Sequence, residues 1–154
     1  MTATTTSPRA DLHGPGYRAM AAFSRATDEL PLDARLRELI RLRASMRNGC
    51  AYCIDMHTKD ARAIGETEQR LYAVAAWHEA PFFSPAERAA LALTDALTDL
   101  AGHPLPDAVL AAAEEQLGAD GLAAATWVII TINAWNRVAI AGHAEAGHYE
   151  PAAA

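Results

Sequence analysis

Residues 38–57 read ELIRLRASMRNGCAYCIDMH, and this stretch decides the predicted fold. Apolar residues recur at steps of three and four along 32–47, which predicts an amphipathic helix. Asn48-Gly49 ends that helix, because glycine tolerates the left-handed conformation of a C-terminal cap. A second helix is predicted over 50–64. The two helices therefore form an antiparallel hairpin about Asn48-Gly49.

The rest of the chain repeats the pattern of short helices separated by turn signals. Further helices are predicted over 17–29, 67–77, 85–101, 106–118 and 120–143. No alternating segment bounded by turns argues for a sheet. The prediction is an all-α fold: a single-domain helical bundle of about six or seven helices. Its domain spans 15–148, with a flexible N-terminal tail at 1–14 and a C-terminal tail at 149–154.

Composition narrows the possible functions of the chain. Its 154 residues suffice for one domain with its own core, so no disulfide or metal is needed for folding. The net charge is −6 with no basic block, which argues against nucleic-acid binding. The sequence has no run of about 18 apolar residues, so no membrane span is predicted. Residues 1–8 lack the apolar core of a secretory signal. A cytoplasmic location is therefore predicted, where structural disulfides are rare.

Against that background, the only two cysteines of the chain are informative because they are three residues apart. Cys50 and Cys53 stand at the start of a predicted helix, where free backbone N–H groups and the helix dipole favour a thiolate. His57 follows Cys53 by four residues and shares its helix face. An imidazole there can accept the thiol proton or stabilise the thiolate. The pattern indicates thiol-redox chemistry.

The hairpin geometry adds Glu38 to this group. Residues equidistant from the turn face each other, which places His57 near Ile40 and within reach of Glu38. Glu38 has apolar neighbours, so burial is expected to raise its pKa and let it move protons near neutral pH. Ser45 shares a helix face with Glu38 and is expected to complete a polar network opposite Tyr52.

Other interpretations of these residues stay open. The two cysteines are also compatible with small core residues, and Tyr52 alone is typical of packing. A zinc site would need a fourth ligand beside the cysteines and His57, from His78 or His143. Polar residues on the apolar last helix are expected to form hydrogen bonds between subunits, or else to line a pocket; they are Asn133, Asn136 and Arg137.

The stretch from Glu38 to His57, followed by Ala61 and Gly65, resembles the carboxymuconolactone decarboxylase superfamily. It is most similar to its AhpD-like alkylhydroperoxidase branch. The branch signature has a glutamate twelve residues before C-x-x-C and a histidine four residues after it, and this chain matches every spacing. The later stretch with Trp77, Pro81 and SPAER at 84–88 is also similar.

The resemblance implies an all-helical subunit that assembles into trimers or hexamers. It implies that Cys53 attacks a hydroperoxide and that Cys50 resolves the sulfenic acid as a disulfide. Glu38 and His57 would serve as the proton relay. The disulfide would be reduced again by an external dithiol on a lipoyl-bearing or thioredoxin-like protein. No haem, flavin or metal is implied.

One residue departs from the pattern of the branch. Its best-known peroxidases carry a histidine between the cysteines, where this chain has Tyr52. A phenol with a pKa of about 10 relays protons less well at neutral pH. The dithiol could also act as a disulfide reductase. Two contrasting functions remain: a decarboxylase of the superfamily, which would not depend on the cysteines, and a non-catalytic helical oligomer.

Overall fold

The protein folds into a helical bundle, here described from a computed structural model over residues 10–152. Every regular element within that range is helical, so the predicted all-α class is confirmed. The helices are α1 (Pro15–Asp28), α2 (Ala34–Asn48), α3 (Ala51–Ala63), α4 (Glu68–Ala73), α5 (Pro85–Thr98) and α6 (Asp107–Ala141). A 3₁₀ turn, Val74–Ala76, continues α4.

The hairpin of α2 and α3 forms as predicted. The Asp33 carboxylate accepts a hydrogen bond from the Leu36 N–H and so caps the start of α2. Gly49 ends α2 with a φ of 67°, the left-handed cap expected of glycine. Cys50 is the N-cap residue of α3, and its carbonyl accepts the first helical bond from Ile54. The cysteines therefore lie at the tip of the hairpin.

Helix α2 is the centre of the bundle. One cluster of apolar side chains fills the space between α2, α5 and α6, and it includes Ile40, Leu93 and Val128. A second cluster joins α2 to α3, α4 and α5 around Leu39 and Leu91. Since α2 is covered on most of its circumference, three of its polar residues are buried as well: Glu38, Arg43 and Ser45. Any buried charge on α2 must therefore find a partner inside the protein.

The later helices carry the expected boundary signals. Ser84 and Glu87 form a reciprocal capping box at the start of α5. The predicted break near Gly118 is present as a sharp kink (φ 72°, ψ 170°), and helix resumes directly after it. By length and composition α6 is apolar enough to cross a membrane, with a window of mean hydropathy 1.3. Its inward face, however, belongs to the core through residues such as Val128 and Ile129.

Both ends of the described chain lie against helices of the bundle. The Ala10 N–H donates to the Ala141 carbonyl at 3.1 Å, at the end of α6. The Lys59 ammonium donates to the Tyr149 carbonyl at 2.8 Å, over α3. Most of the predicted tail at 1–14 lies outside the described residues, so the predicted domain limits stay predictions.

Candidate active site

A cavity of about 530 Å³ opens between the hairpin, α1 and α6. Its apolar wall comes mainly from α6, with Ile132, Trp135 and Val138. Tyr17 of α1 meets Trp135 edge-on, with the ring centroids 5.1 Å apart. Cys53 is among the residues that line the cavity. The volume is that of a site for a small organic molecule.

The two cysteines occupy different positions relative to this cavity. Both are free thiols and both are buried, Cys50 at 2% and Cys53 at 1% exposure. Cys53 contributes to the cavity wall. Cys50 packs behind it in a small cluster with Ala44 and Ile132. The structure thus brings the pair together and places Cys53, but not Cys50, among the residues of the cavity wall.

The expectation that the helix start lowers the thiol pKa is wrong for Cys53. Burial raises the pKa of Cys53 to about 12, and its hydrogen bond with Cys50 acts in the same direction. A hydrogen bond from Asn136 acts against them. The low polarity around Cys53 outweighs the favourable dipole of α3. Attack by this thiol therefore needs a base to remove its proton.

His57 and Glu38 form a buried pair across the hairpin, as predicted. The distance between His57 Nδ1 and Glu38 Oε2 is 2.8 Å, and the two residues are only 5% and 7% exposed. A carboxylate that accepts from Nδ1–H leaves Nε2 as the basic nitrogen of the ring. His57 lines the cavity, and its buried Nε2 has no hydrogen-bond partner among the described residues.

The expected rise in the pKa of Glu38 is also wrong. Burial does raise the pKa of this carboxyl, but the hydrogen bond and charge of His57 and the charge of Arg41 outweigh burial and hold it below its usual range. Arg41 Nη1 donates to Glu38 Oε1 at 2.6 Å, and Arg41 also pairs with Asp28. Glu38 is thus a carboxylate at neutral pH, which orients His57.

Sequence reasoning missed Arg41 and Asp60. Arg41 is three residues from Glu38 on α2, a spacing that favours an ion pair and was the available signal. Asp60 lies on the face of α3 that carries His57, and it lines the cavity. Burial raises the pKa of Asp60, although the Tyr149 hydroxyl donates to its Oδ1 at 2.7 Å.

Glu38, His57 and Asp60 also place one ligand-type atom each within 4.8 Å of one another. Both oxygens of Glu38 are already bonded, to Arg41 and to His57. A cation placed between these three residues would face the Arg41 guanidinium. The residues fit a proton relay better than they fit a metal ion.

The zinc alternative lacks its fourth ligand in this fold. The His78 ring stacks on the Trp77 ring, with the ring centroids 3.6 Å apart. His78 lines a second pocket, which is also lined by Asp99. His143 follows the end of α6, with a φ of 52°. In the described part of the chain, the one metal-type cluster contains neither cysteine. Both cysteines are free thiols in this structure.

Ser45 joins a polar network behind the cysteines, as expected, but its partners were not foreseen. Its Oγ donates to the Arg41 carbonyl at 2.7 Å and accepts from Asn136 Nδ2 at 3.0 Å. Asn133 accepts from Asn48 and donates to Thr98 within the same chain. Asn136 is fully buried within one chain, so the expectation of a bond between subunits is wrong for this residue, whereas for Asn133 it stays a prediction. Arg137 likewise donates to Asn133.

Tyr52 lines the cavity beside Cys53. Burial raises the pKa of its phenol, and the nearby Tyr17 and Cys53 add to the rise. Tyr52 thus stays protonated at neutral pH. It contributes shape and a hydroxyl group to the site, and the phenol does not exchange protons readily there.

Comparisons with known proteins agree with this architecture. A model described as the carboxymuconolactone decarboxylase family matches residues 15–96. The chain is 41% identical to YdfG of Bacillus subtilis, an uncharacterized protein, over 126 residues that cover 82% of this chain and 86% of YdfG. The chain therefore belongs to the carboxymuconolactone decarboxylase family.

Solved structures place the fold in the AhpD-like group. A protein of unknown function from Agrobacterium tumefaciens, with a suggested role as antioxidant defence protein AhpD, is 31% identical; the match covers 93% of this chain and all of that one, with a TM-score of 0.87. The debrominase Bmp8 is 20% identical, with 85% of this chain and 70% of Bmp8 covered and a TM-score of 0.77. At that identity the likeness to Bmp8 concerns the fold alone.

Proposed function

We propose that this protein is a thiol peroxidase that reduces organic hydroperoxides with Cys50 and Cys53. The observation that carries the proposal is the shared cavity: Cys53 and His57 line the same space for a small molecule, and the buried Nε2 of His57 has no partner among the described residues. The two cysteines are free and adjacent to each other, which suits a reversible disulfide. The broader class to which such a peroxidase belongs is that of dithiol enzymes of the AhpD-like type.

The reaction divides into two balanced steps. The Cys53 sulfur attacks the hydroperoxide, the O–O bond breaks, and the products are a sulfenic acid and an alcohol. The Cys50 sulfur then attacks the sulfenic sulfur, which forms the disulfide and releases water. The two thiols supply the two electrons that reduce the hydroperoxide. Cys53 is assigned as the attacking residue because it lines the cavity, whereas Cys50 packs behind it.

The proton of the Cys53 thiol is transferred within the same cavity. Since the pKa of Cys53 is raised, its thiol must lose a proton when the hydroperoxide binds. His57 Nε2 is the base on the cavity wall, and ionised Glu38 holds the ring with Nε2 free and stabilises the imidazolium. His57 then returns the proton to the departing alkoxide. The hydroperoxide itself bridges Sγ and Nε2, which explains why no direct bond between them is needed beforehand.

The cavity favours an uncharged substrate. Arg41 is the arginine in its lining, and Glu38 and Asp28 already occupy its guanidinium group. Among the described residues, no arginine or lysine is free in the lining to bind a lactone carboxylate, as a decarboxylase would need. The wall of Ile132, Trp135 and Val138 suits an apolar alkyl or aryl group. These contacts favour a hydroperoxide over a carboxylate.

The same chemistry defines the proposed partners and location. An intramolecular disulfide has to be reduced by an external dithiol, on a lipoyl-bearing or thioredoxin-like protein. A compartment that keeps thiols reduced, such as the cytoplasm, suits this cycle. Apolar side chains on the outer face of α6 are exposed, including Trp127 at 46% and Ile130 at 44%. They support assembly into a trimer or hexamer, which light scattering would measure.

The proposal is tested by hydroperoxide consumption with a small dithiol as reductant. Wild type is expected to turn over cumene hydroperoxide continuously. Cys53→Ser is expected to consume none above the background, because the attacking sulfur is absent. Cys50→Ser, reduced beforehand and freed of the dithiol, is the matched control: it should consume one equivalent and stop as a sulfenic acid, which dimedone traps. Equal rates in wild type and Cys53→Ser would exclude the proposed function.

A further inference from the structure

Asn136 is a fully buried amide on the apolar wall of α6. Its exposure is 0%, and it lies one helical turn after Ile132, which packs against both cysteines. Buried amides are retained where all their polar atoms are bonded. The side chains hydrogen-bonded to Asn136 are Asn48 and Ser45, and its amide also lowers the pKa of the nearby Cys53 thiol. The orientation of the amide decides whether it presents oxygen or nitrogen to the sulfur.

The first constraint on that orientation comes from Ile129. Asn133 Nδ2 donates to the Ile129 carbonyl at 3.0 Å, and a carbonyl can only accept. Asn133 Oδ1 therefore faces Asn48 and accepts from its Nδ2 at 2.9 Å. The same Nδ2 of Asn48 donates to Asn136 Oδ1 at 2.8 Å. The oxygen of Asn136 is thus committed to Asn48.

The second constraint comes from the other end of the network. The Ser45 hydroxyl donates its single proton to the Arg41 carbonyl at 2.7 Å. Ser45 Oγ can then only accept from Asn136, whose Nδ2 lies 3.0 Å away. The constraints from the Ile129 carbonyl and from the Arg41 carbonyl therefore give the same orientation, in which Nδ2 of Asn136 points away from Asn48. Its second N–H is the group available to Cys53, whose pKa the Asn136 amide lowers.

We propose that Asn136 donates a hydrogen bond to Sγ of Cys53 and stabilises its thiolate as the hydroperoxide is attacked. The network that ends at the Ile129 and Arg41 carbonyls holds Asn136 in this orientation. An N–H donor bonds a thiolate more strongly than a thiol, because the bond is charge-assisted. Asn136 is therefore a catalytic residue from a helix outside the cysteine hairpin. The inference rests on the proposed function in taking Cys53 as the attacking thiol.

Other charged and titratable groups surround Cys53 and define the background for a test. Cys50 bonds the sulfur directly and opposes its ionisation. The remaining groups at the cavity are His13, Tyr17 and Asp28 on the α1 side, Arg41 with Glu38 on α2, and Tyr52, His57 and Asp60 on α3. None of these is altered in the variants below, so a shift between variants reports on the amide network.

The test measures ionisation of Cys53 in a Cys50→Ala background, where one thiol remains. Thiolate absorbance and the rate of iodoacetamide alkylation are followed as a function of pH. Asn136→Leu should raise the pKa of Cys53 by about one unit, which means a roughly tenfold smaller thiolate fraction and a severalfold slower alkylation at a pH below that pKa. Asn136→Asp should raise it at least as far, because a carboxylate replaces the donor.

Asn48→Asp tests the orientation without changing a group that touches the sulfur. A carboxylate at this position only accepts, so the Asn136 amide should turn its nitrogen toward it and its oxygen toward Cys53. Alkylation should again slow severalfold to tenfold. Thr131→Val is the matched control: Thr131 is buried on the same helix, and within residues 10–152 its hydroxyl bonds only the Trp127 carbonyl of its own turn.

Unchanged pH profiles in Asn136→Leu and Asn48→Asp, equal to that of Thr131→Val, would overturn the inference. If Asn136→Leu does not fold, the profile of Asn48→Asp decides alone. If Asn136 served packing only, Asn136→Leu would lower the stability of the protein and leave the pH profile of Cys53 alkylation unchanged. Alkylation needs no hydroperoxide, so this result stands apart from any failure of the proposed peroxidase activity.

Discussion

Helix α2 carries two inward-facing hydrogen-bonded pairs that differ in how completely their polar atoms are bonded. Arg43 pairs with Asp95 through two hydrogen bonds, at 2.5 and 2.8 Å, and its third nitrogen donates to the Ala75 carbonyl. The Trp77 indole also donates to Asp95. The Glu38–His57 pair is as deeply buried, yet His57 Nε2 is left without a partner in the described structure. That unpartnered atom belongs to a residue of the cavity wall.

The difference separates a structural pair from a chemical one on the same helix. Buried polar atoms nearly always have a hydrogen-bond partner, so an unpartnered nitrogen such as His57 Nε2 needs an explanation. Arg43 and Asp95 connect α2 to α5 and satisfy each other. Glu38 and His57 connect α2 to α3 and keep one basic nitrogen available. We expect substitutions at the first pair to change stability and substitutions at the second to change activity.

The largest effect is expected at His57. His57→Gln keeps a donor for Glu38 but removes the base, so hydroperoxide reduction should fall by about 10²- to 10⁴-fold. The free energy of unfolding should change by less than about 1 kcal/mol, because Arg41 still pairs with Glu38. Steady-state rates and urea unfolding measure the two quantities. A rate within threefold of wild type would contradict the assignment of His57 as the base.

The structural pair should show the opposite pattern. Asp95→Asn leaves the Arg43 charge buried without its counter-charge, and the free energy of unfolding should fall by about 3 kcal/mol. Activity per folded molecule should remain close to wild type, since neither residue lines the cavity. Urea unfolding and kinetics on the folded fraction test this. A large loss of activity at full folding would remove the distinction between the pairs.

A smaller effect is expected in the pH dependence of stability. The folded pKa of Glu38 lies below its ordinary value of 4.5 because His57 and Arg41 outweigh burial. Its ionised form thus stabilises the fold above that pH, and this contribution is lost as the pH falls through the lower folded pKa. In Glu38→Gln the curve of unfolding free energy against pH should be flatter below about pH 5. An equally steep curve would show that Glu38 is not the group responsible.

The smallest effect is expected at Tyr52. Its raised pKa keeps the phenol protonated, so Tyr52→Phe should change the rate of hydroperoxide reduction by no more than about threefold. Tyr52→His, which restores the residue of the better-known peroxidases, should raise the rate. A loss of two orders of magnitude in Tyr52→Phe would instead make the hydroxyl a member of the proton relay.

The hairpin and the Glu38–His57 pair were predictable because their causes are local. Asn48-Gly49 fixes the turn, and equal distances from a turn predict which residues meet across it. Cys50 and Cys53 were chosen as candidate site residues from their spacing alone. Periodicity also found the kink at Gly118, where glycine adopts a positive φ.

The protonation states were not predictable from spacing because they depend on distant contacts. Glu38 stays ionised through Arg41, which is itself held by Asp28 of α1. Cys53 is buried by Ile132 of α6, almost eighty residues away in the chain, and this burial overrides the helix dipole. Asn136 resembled a subunit contact because a polar residue on an apolar helix gives no sign of its partner. Tertiary packing decided all three.

The most direct test of the central claim is the stoichiometry of a single oxidation. Fully reduced protein is mixed with less than one equivalent of cumene hydroperoxide, and the products are counted by intact-mass and peptide analysis. The account predicts one Cys50–Cys53 disulfide within a single chain for each hydroperoxide reduced to its alcohol. Hydroperoxide that disappears while both thiols stay titratable would contradict it.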